Sequence, residues 1–343
     1  MIDLRSDTVT KPTPEMLALF ADPSLRNRLG DDVFGEDTLT NEFERQVADL
    51  LGKEAALFVP SGTMGNQLCV KLSTSEGDEV ILESGAHIFN YETAAPAVLS
   101  RVQLKPLDGE NGILTAEQID CAIRPVADWY PRTSLVCLEN THNRAGGIIY
   151  PIEDIERISE LCRSKKLRLH LDGARLWNAC AATKIAPKTY AQFFDTVSVC
   201  FSKGLGAPAG SAIAGTQSDI QKARRWRKLW GGGMRQSGVL AAMAKFALDN
   251  HLDRLLHDHR KALCIAKAFA AHPTFEIDMT AVQTNIVAVD VSNTGLSERD
   301  VVERFREKGV LISSIKKNYI RLVTHLDVSM SDAENVAEII QTF

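Results

Sequence analysis

Between residues 55 and 215 the chain alternates short apolar runs with stretches of helical periodicity. The runs "AALFVP" (55–60), "EVILE" (79–83), "RVQLKPL" (101–107), "SLVCLEN" (134–140), "LRLHLDGA" (167–174), "TVSVCFSK" (196–203) and "SAIAG" (211–215) read as strands. Helices follow at "MGNQLCVKLS" and at "PIEDIERISELCRSKK", where Ile152, Ile155, Ile158 and Leu161 recur at helical spacing behind Pro151. Strands that alternate with helices predict a largely parallel α/β sheet covered on both faces.

After Gly215 the pattern changes. "DIQKARRWRKLWGGG" is basic and amphipathic, and residues 236–272 read as one long helix with an alanine-rich buried part. The tail offers strands at 284–291, 310–314 and 319–325 and helices at 297–309 and from Ser331, a smaller α+β unit. The expected organisation is an N-terminal arm (1–25), a large domain (26–250) and a small C-terminal domain (251–343).

Composition narrows the function classes. A net charge of −5 over 343 residues, with no basic tract, argues against nucleic-acid binding as the main role. No apolar run approaches the roughly 20 residues that span a bilayer. Charges in "MIDLRSDTVTKP" fall where a signal peptide would be apolar, so a cytoplasmic, reducing setting is expected. The seven cysteines are scattered singly, which predicts neither a disulfide framework nor a metal site.

Three features carry chemistry. Asp172 and Arg175 in "HLDGARLW" follow an apolar run at a strand's carboxyl end, where α/β sheets bind ligands, although an aspartate there serves equally as a helix cap. "PSGTMGNQ" (60–67) places Ser61, Gly62 and Thr63 at a helix start, suited to a phosphate or to a plain strand–turn–helix junction. Lys203 ends an apolar run before a glycine-rich turn. By itself it reads as a solvated rim charge. The glycines at 204, 206 and 210 have the wrong spacing for a dinucleotide loop and lead into a strand.

Together the three specify what none does alone. Pyridoxal 5′-phosphate needs a lysine for its aldehyde, an anion cup for its phosphate and a carboxylate opposite its ring nitrogen. Lys203, the Ser61–Thr63 turn and Asp172 supply one each.

At this point the blocks "MIDLRSDTVTKP", "GDDVFGED", "PSGTMGNQ", "LENTHNRAGG", "HLDGARLWNA", "SKGLGAPAGS", "RRWRKLWGGGMRQSG" and "IRLVTHLDVS" resemble, in order, those of the low-specificity L-threonine aldolases. The resemblance runs from residue 2 to about residue 330 and implies a fold-type-I pyridoxal-phosphate enzyme, usually a homotetramer with active sites at a dimer interface. Its expected reaction is retro-aldol cleavage of threonine, allo-threonine or a related β-hydroxy-α-amino acid to glycine and an aldehyde. The alternatives are β-elimination, transamination or racemisation on the same cofactor, or a non-catalytic protein that retains the fold. The resemblance implies that Lys203 forms the Schiff base, Asp172 faces the ring nitrogen, and Gly62 and Thr63 hold the phosphate. It also implies that His87 stacks on the ring and that Arg235 reaches a neighbouring subunit's phosphate. Ser6, Arg175 and Arg321 would bind the substrate carboxylate, with Arg175 also near the cofactor. The general base would be His87 or an ordered water. Two departures stand out: Trp129 where the family often has a histidine near the substrate hydroxyl, and Ala94-Ala95 where it often has two glycines.

Overall fold

A computed structural model describes residues 1–343. Seven strands form the main sheet: β1 (Ala55–Val59), β2 (Glu79–Glu83), β3 (Gln103–Leu107), β4 (Thr133–Glu139), β5 (Arg168–Gly173), β6 (Thr196–Cys200) and β7 (Ser211–Gly215). Their order is β1-β7-β6-β5-β4-β2-β3. Only β7 runs antiparallel to its neighbours, so the sheet is mostly parallel as expected. Every residue of β2, β4, β6 and β7 is buried, which is why these strands read as unbroken apolar runs rather than alternating ones.

Helices α1 (Thr38–Leu51), α2 (Gly62–Ser73), α3 (Ile152–Lys165), α4 (Leu176–Thr183), α5 (Gln217–Leu229) and α6 (Gly238–His251) cover the sheet. Their ends follow local chemistry. Asp37 caps α1 by accepting from the Thr40 amide at 2.9 Å, and Gly52 closes it at φ +61°. In α3, Ile155, Ile158 and Cys162 are buried, while Ile152 and Leu161 pack partly buried against the same core.

A second core is built by α7 (Leu255–Ala271), β8 (Ile286–Asp290), α8 (Glu298–Glu307), β9 (Ser313–Lys316), β10 (Tyr319–Val323) and α9 (Met330–Gln341). The last three strands form an antiparallel sheet ordered β9-β10-β8. Leu4 of the N-terminal arm is buried in this core, and Ile2–Asp3 pairs in parallel with Val310–Leu311.

Two differences from the sequence pattern affect the site. The strand expected over 196–203 ends at Cys200, so Lys203 lies within the following turn. The single long helix expected over 236–272 breaks between His251 and Leu255. Alanine-rich periodicity conceals the break, which is made by tertiary contacts: His251 Nδ1 meets the Leu205 carbonyl at 2.7 Å, and Arg254 Nη1 donates to the Gly204 carbonyl at 3.1 Å.

The turn also depends on Gly210, at φ +110°, where an added Cβ would come within 2.5 Å of the Phe58 ring. Gly210→Ala is therefore expected to destabilise the fold by about 2–4 kcal/mol through backbone strain and overpacking. The check is a clear fall in melting temperature relative to wild type.

Candidate active site

In the sheet's order, the carboxyl ends of β1, β6, β5 and β4 share one edge. Lys203 belongs to the turn beyond β6, and that turn is held at three successive carbonyls. Thr10 Oγ1 donates to the Lys203 carbonyl at 3.1 Å, and Arg254 and His251 hold the next two. A Gly206 amide bond to the Lys203 carbonyl, 2.8 Å, closes the turn with Gly206 at φ +79°. The Lys203 side chain lines a cavity of about 250 Å³ together with Ser6, Thr8, His87, Asn143, Arg175 and Arg321, among others.

Asp172 stands beside Glu139 in the β4–β5 register, and both are buried. Asp172 Oδ1 accepts from the Ala174 amide at 3.1 Å and Oδ2 from Asn66 Nδ2 at 2.8 Å. It does not cap α4, whose N-cap position is Arg175 without a side-chain cap. His170, directly behind, meets Asn66 Oδ1 at 3.2 Å and the Thr196 hydroxyl at 3.0 Å. Burial pushes its pKa down to about 4, which favours the neutral ring near pH 7.

His87 begins a short helix (His87–Asn90) after β2, with its amide donating to Glu139 Oε2 at 2.6 Å. Its Nδ1 lies 2.9 Å from Glu92 Oε1. Burial alone would lower its pKa. The Glu92 hydrogen bond and the charges of Asp172, Glu139 and Glu92 outweigh burial and raise it. Glu92 is delivered by a turn in which Thr93 (φ +53°) and Ala94 (φ +57°) are left-handed. Alanine holds there a conformation that glycine adopts without strain.

The two arginines differ sharply. Arg175 is buried in a two-pronged pair with Asp7, Nε to Oδ2 at 2.8 Å and Nη2 to Oδ1 at 2.7 Å. Burial raises the cost of the Asp7 charge, yet Arg175 holds its pKa well below the ordinary carboxylate range. Arg321, on β10, has no acid partner. Its Nη1 donates to Asn143 Oδ1 at 2.8 Å and its Nη2 to the Arg5 carbonyl at 3.1 Å, while Nε is buried without a partner. Burial and repulsion from Arg175 lower its pKa. Asn143 Oδ1 also faces Arg175 Nη1 at 3.3 Å, so one amide joins the two guanidinium groups.

At the β1–α2 junction, Ser61 Oγ accepts from the Met64 amide at 3.2 Å. The Gly62 and Thr63 amides open the helix and have no intrahelical partners. A Cβ on Gly62 would stand 3.6 Å from Ser211 Oγ, a buried hydroxyl that itself has no partner.

Residues 3–292 match the beta-eliminating lyase family. The chain belongs to that family. It is 40% identical to low-specificity L-threonine aldolase 1 of Arabidopsis thaliana, over 96% of this chain and 93% of that one. It is likewise 40% identical to the low specificity L-threonine aldolase of Escherichia coli K12, over 98% and 97%. A solved Leishmania major threonine aldolase shares the fold at TM-score 0.87 and 20% identity, with 100% of this chain and 99% of that chain aligned.

Of the expected residues, this lyase brings Ser6, His87, Arg175, Lys203 and Arg321 to one cavity. Asp172 lies behind it, joined through Asn66 and Glu92 to His87. Arg175 lines that cavity with two of its five donors engaged by Asp7. Two residues stand apart. Arg235 pairs with Asp31 at 2.7 Å and lies outside the cavity of its own chain. Trp129 is 79% exposed, lies before the start of β4 and is not among the residues that line this cavity. Asp7, Asn66, Glu92 and Asn143 escaped the sequence reading. Only Glu92, an acid five residues beyond His87, left a local trace.

Removing Asp7 strands a buried guanidinium. Asp7→Ala is expected to cost about 3–5 kcal/mol, read as a lower denaturation midpoint. Because its folded pKa is depressed, Asp7 contributes stability above its unfolded value of about 3.9. That contribution is lost as pH falls through the folded value, so the wild-type advantage over Asp7→Ala should shrink in strong acid.

Proposed function

We propose that this chain is a pyridoxal-phosphate-dependent aldehyde-lyase that cleaves L-threonine, L-allo-threonine or a related β-hydroxy-α-amino acid to glycine and an aldehyde. One observation carries the reading: Lys203 lines a cavity in which its ammonium group has no hydrogen-bond or ion-pair partner, on a turn whose backbone is fixed at three carbonyls. A lysine so placed is free to condense with an aldehyde. The other groups fit the same cofactor. The unpartnered amides of Gly62 and Thr63 suit its phosphate, Asp172 retains lone pairs for a protonated ring nitrogen, and His87 offers a ring face. When bound, the cofactor supplies an electron sink for the bonding pair released at Cα.

The chain's own residues do the rest. Arg321, with an unpaired Nε and no acid partner, binds the substrate carboxylate with help from Ser6. Arg175, paired with Asp7, lines the same cavity beside it and holds Asn143 so that Arg321 keeps one orientation. The β-hydroxyl loses its proton, its O–H pair becomes the carbonyl π bond, and the Cα–Cβ pair remains on Cα until a proton arrives there. Atoms and electrons balance without an oxidant.

The expected assembly is a homotetramer in which Arg235 serves a neighbouring chain's phosphate. Its exposure of 59%, beside exposed Phe34 and Leu229, supports a covered face there. No helix is long and apolar enough to cross a membrane, and the cytoplasm is the proposed compartment.

Borohydride reduction of the yellow protein should fix the cofactor on Lys203, and Lys203→Ala should release no aldehyde from threonine. Fixation at another lysine, or 2-oxobutanoate and ammonia in place of glycine and acetaldehyde, would overturn the assignment. Asp172→Asn should keep the cofactor but slow turnover, and full activity would contradict its role at the ring nitrogen. Arg321→Met should raise KM for threonine by about 10- to 100-fold with a smaller effect on kcat, read from steady-state aldehyde release.

A further inference from the structure

Glu92 is buried and accepts three side-chain hydrogen bonds: Asn66 Nδ2 at 2.8 Å and His87 Nδ1 at 2.9 Å on Oε1, and Gln67 Nε2 at 2.5 Å on Oε2. Two of these donors are amide NH₂ groups, one of them shared with Asp172. A carboxylate that receives them is an acceptor, so the third partner must donate as well. His87 therefore carries a proton on Nδ1, and in the neutral ring the lone pair resides on Nε2. That nitrogen has no protein partner, and the ring lines the cavity that contains Lys203 and Arg321.

We infer that Glu92 is a positioning residue that fixes the His87 tautomer and so makes His87 Nε2 the acceptor of the substrate's β-hydroxyl proton. The inference rests on the aldolase reading above and deepens it by choosing the base. The hydroxyl proton passes to Nε2 as the Cα–Cβ bond breaks, and the resulting imidazolium is stabilised by Glu92 through Nδ1. One proton is then delivered to Cα, so the cycle closes without a further reactant.

The surroundings agree. On its own segment His87 faces Glu92 and, at a ring distance of 5.5 Å, Tyr91. From β4 it faces Glu139, whose carboxylate holds its amide, and from β5 it feels the charge of Asp172. Arg175, Lys203 and Arg321 share the cavity wall. The three acids outweigh burial and raise the His87 pKa. Neutral His87, the form that can act as a base, is thus present only above that raised value.

The decisive variant is Glu92→Gln, which removes the charge and keeps an acceptor. It has a way to fold: Gln67 Oε1 is buried without a partner, so a flipped Gln67 amide can accept from the new NH₂ group. Glu92→Asp, which keeps the charge, is the second variant. Nitrogen NMR of histidine-labelled protein, with the His87 signal identified by its loss in His87→Gln, reads tautomer and titration directly. Wild type should show the neutral ring protonated on Nδ1. Glu92→Gln should lower its midpoint by about one pH unit, and Glu92→Asp should retain more of the shift. The acid limb of kcat/KM should move to lower pH in parallel. At neutral pH kcat should fall by about 10- to 100-fold with KM little changed. A neutral ring protonated on Nε2, or a midpoint unmoved in Glu92→Gln while wild type cleaves threonine, overturns the role of Glu92 alone. A wild-type protein that releases no aldehyde from any β-hydroxy amino acid overturns the aldolase reading itself, and this inference with it.

Discussion

The site depends first on the buried ion pair between Asp7 and Arg175. Neither charge could occupy its position alone, since an unpaired buried ion costs several kcal/mol. The pair joins parts of the chain that are far apart in sequence. Asp7 comes from the N-terminal arm, Arg175 from the end of β5, and Asn285 Nδ2 from the smaller unit approaches Asp7 Oδ2 at 3.3 Å. Through Asn143 the same cluster reaches Arg321 on β10. The orientation of Arg321 is thereby set by contacts that exist only when the arm, the sheet and β10 are assembled.

The Lys203 turn has the same dependence. Its three carbonyls are held by Thr10 in the arm and by His251 and Arg254, which flank the helix break. At the break both side chains reach adjacent carbonyls of the turn. Loss of helical hydrogen bonding between α6 and α7 is offset where those donors meet the turn. A lysine on a glycine-rich segment is thus given a fixed backbone, which a reactive amine needs more than it needs a strand.

Much of this was legible in the sequence for a physical reason. Fully buried strands such as β2 and β4 leave continuous apolar runs, and groups at strand carboxyl ends, such as Asp172, are adjacent in sequence to those runs. What was not legible is long-range pairing. Asp7 lies 168 positions from its arginine, and nothing in "RSDTVT" marks a buried charge. Glu92 and Asn66, 26 positions apart, meet only because α2 and the loop after β2 pack above the same strands. The helix break was hidden because alanine-rich periodicity continues through it. Trp129 and Arg235 occupy family blocks, yet a block's place in the sequence does not say which chain's cavity it serves.

The final regularity concerns charge. Four buried carboxylates, Asp7, Glu92, Glu139 and Asp172, stand directly behind the cavity, but its wall contains no acidic side chain. Each acid is held by donors of its own: Arg175 and Asn285, then Asn66, Gln67 and His87, then the amides of His87 and Asn143, then Asn66 and the Ala174 amide. The basic groups on the cavity wall are Lys203, Arg175, Arg321 and His87. A single layer of acids on the wall would have repelled both a phosphate and a substrate carboxylate. Placed one layer back, Asp7 orients Arg175 and Glu92 orients the imidazole, with little reorganisation left to occur when a ligand enters. The charge pattern therefore leaves a cavity wall with basic side chains and no acidic one, suited to an anion.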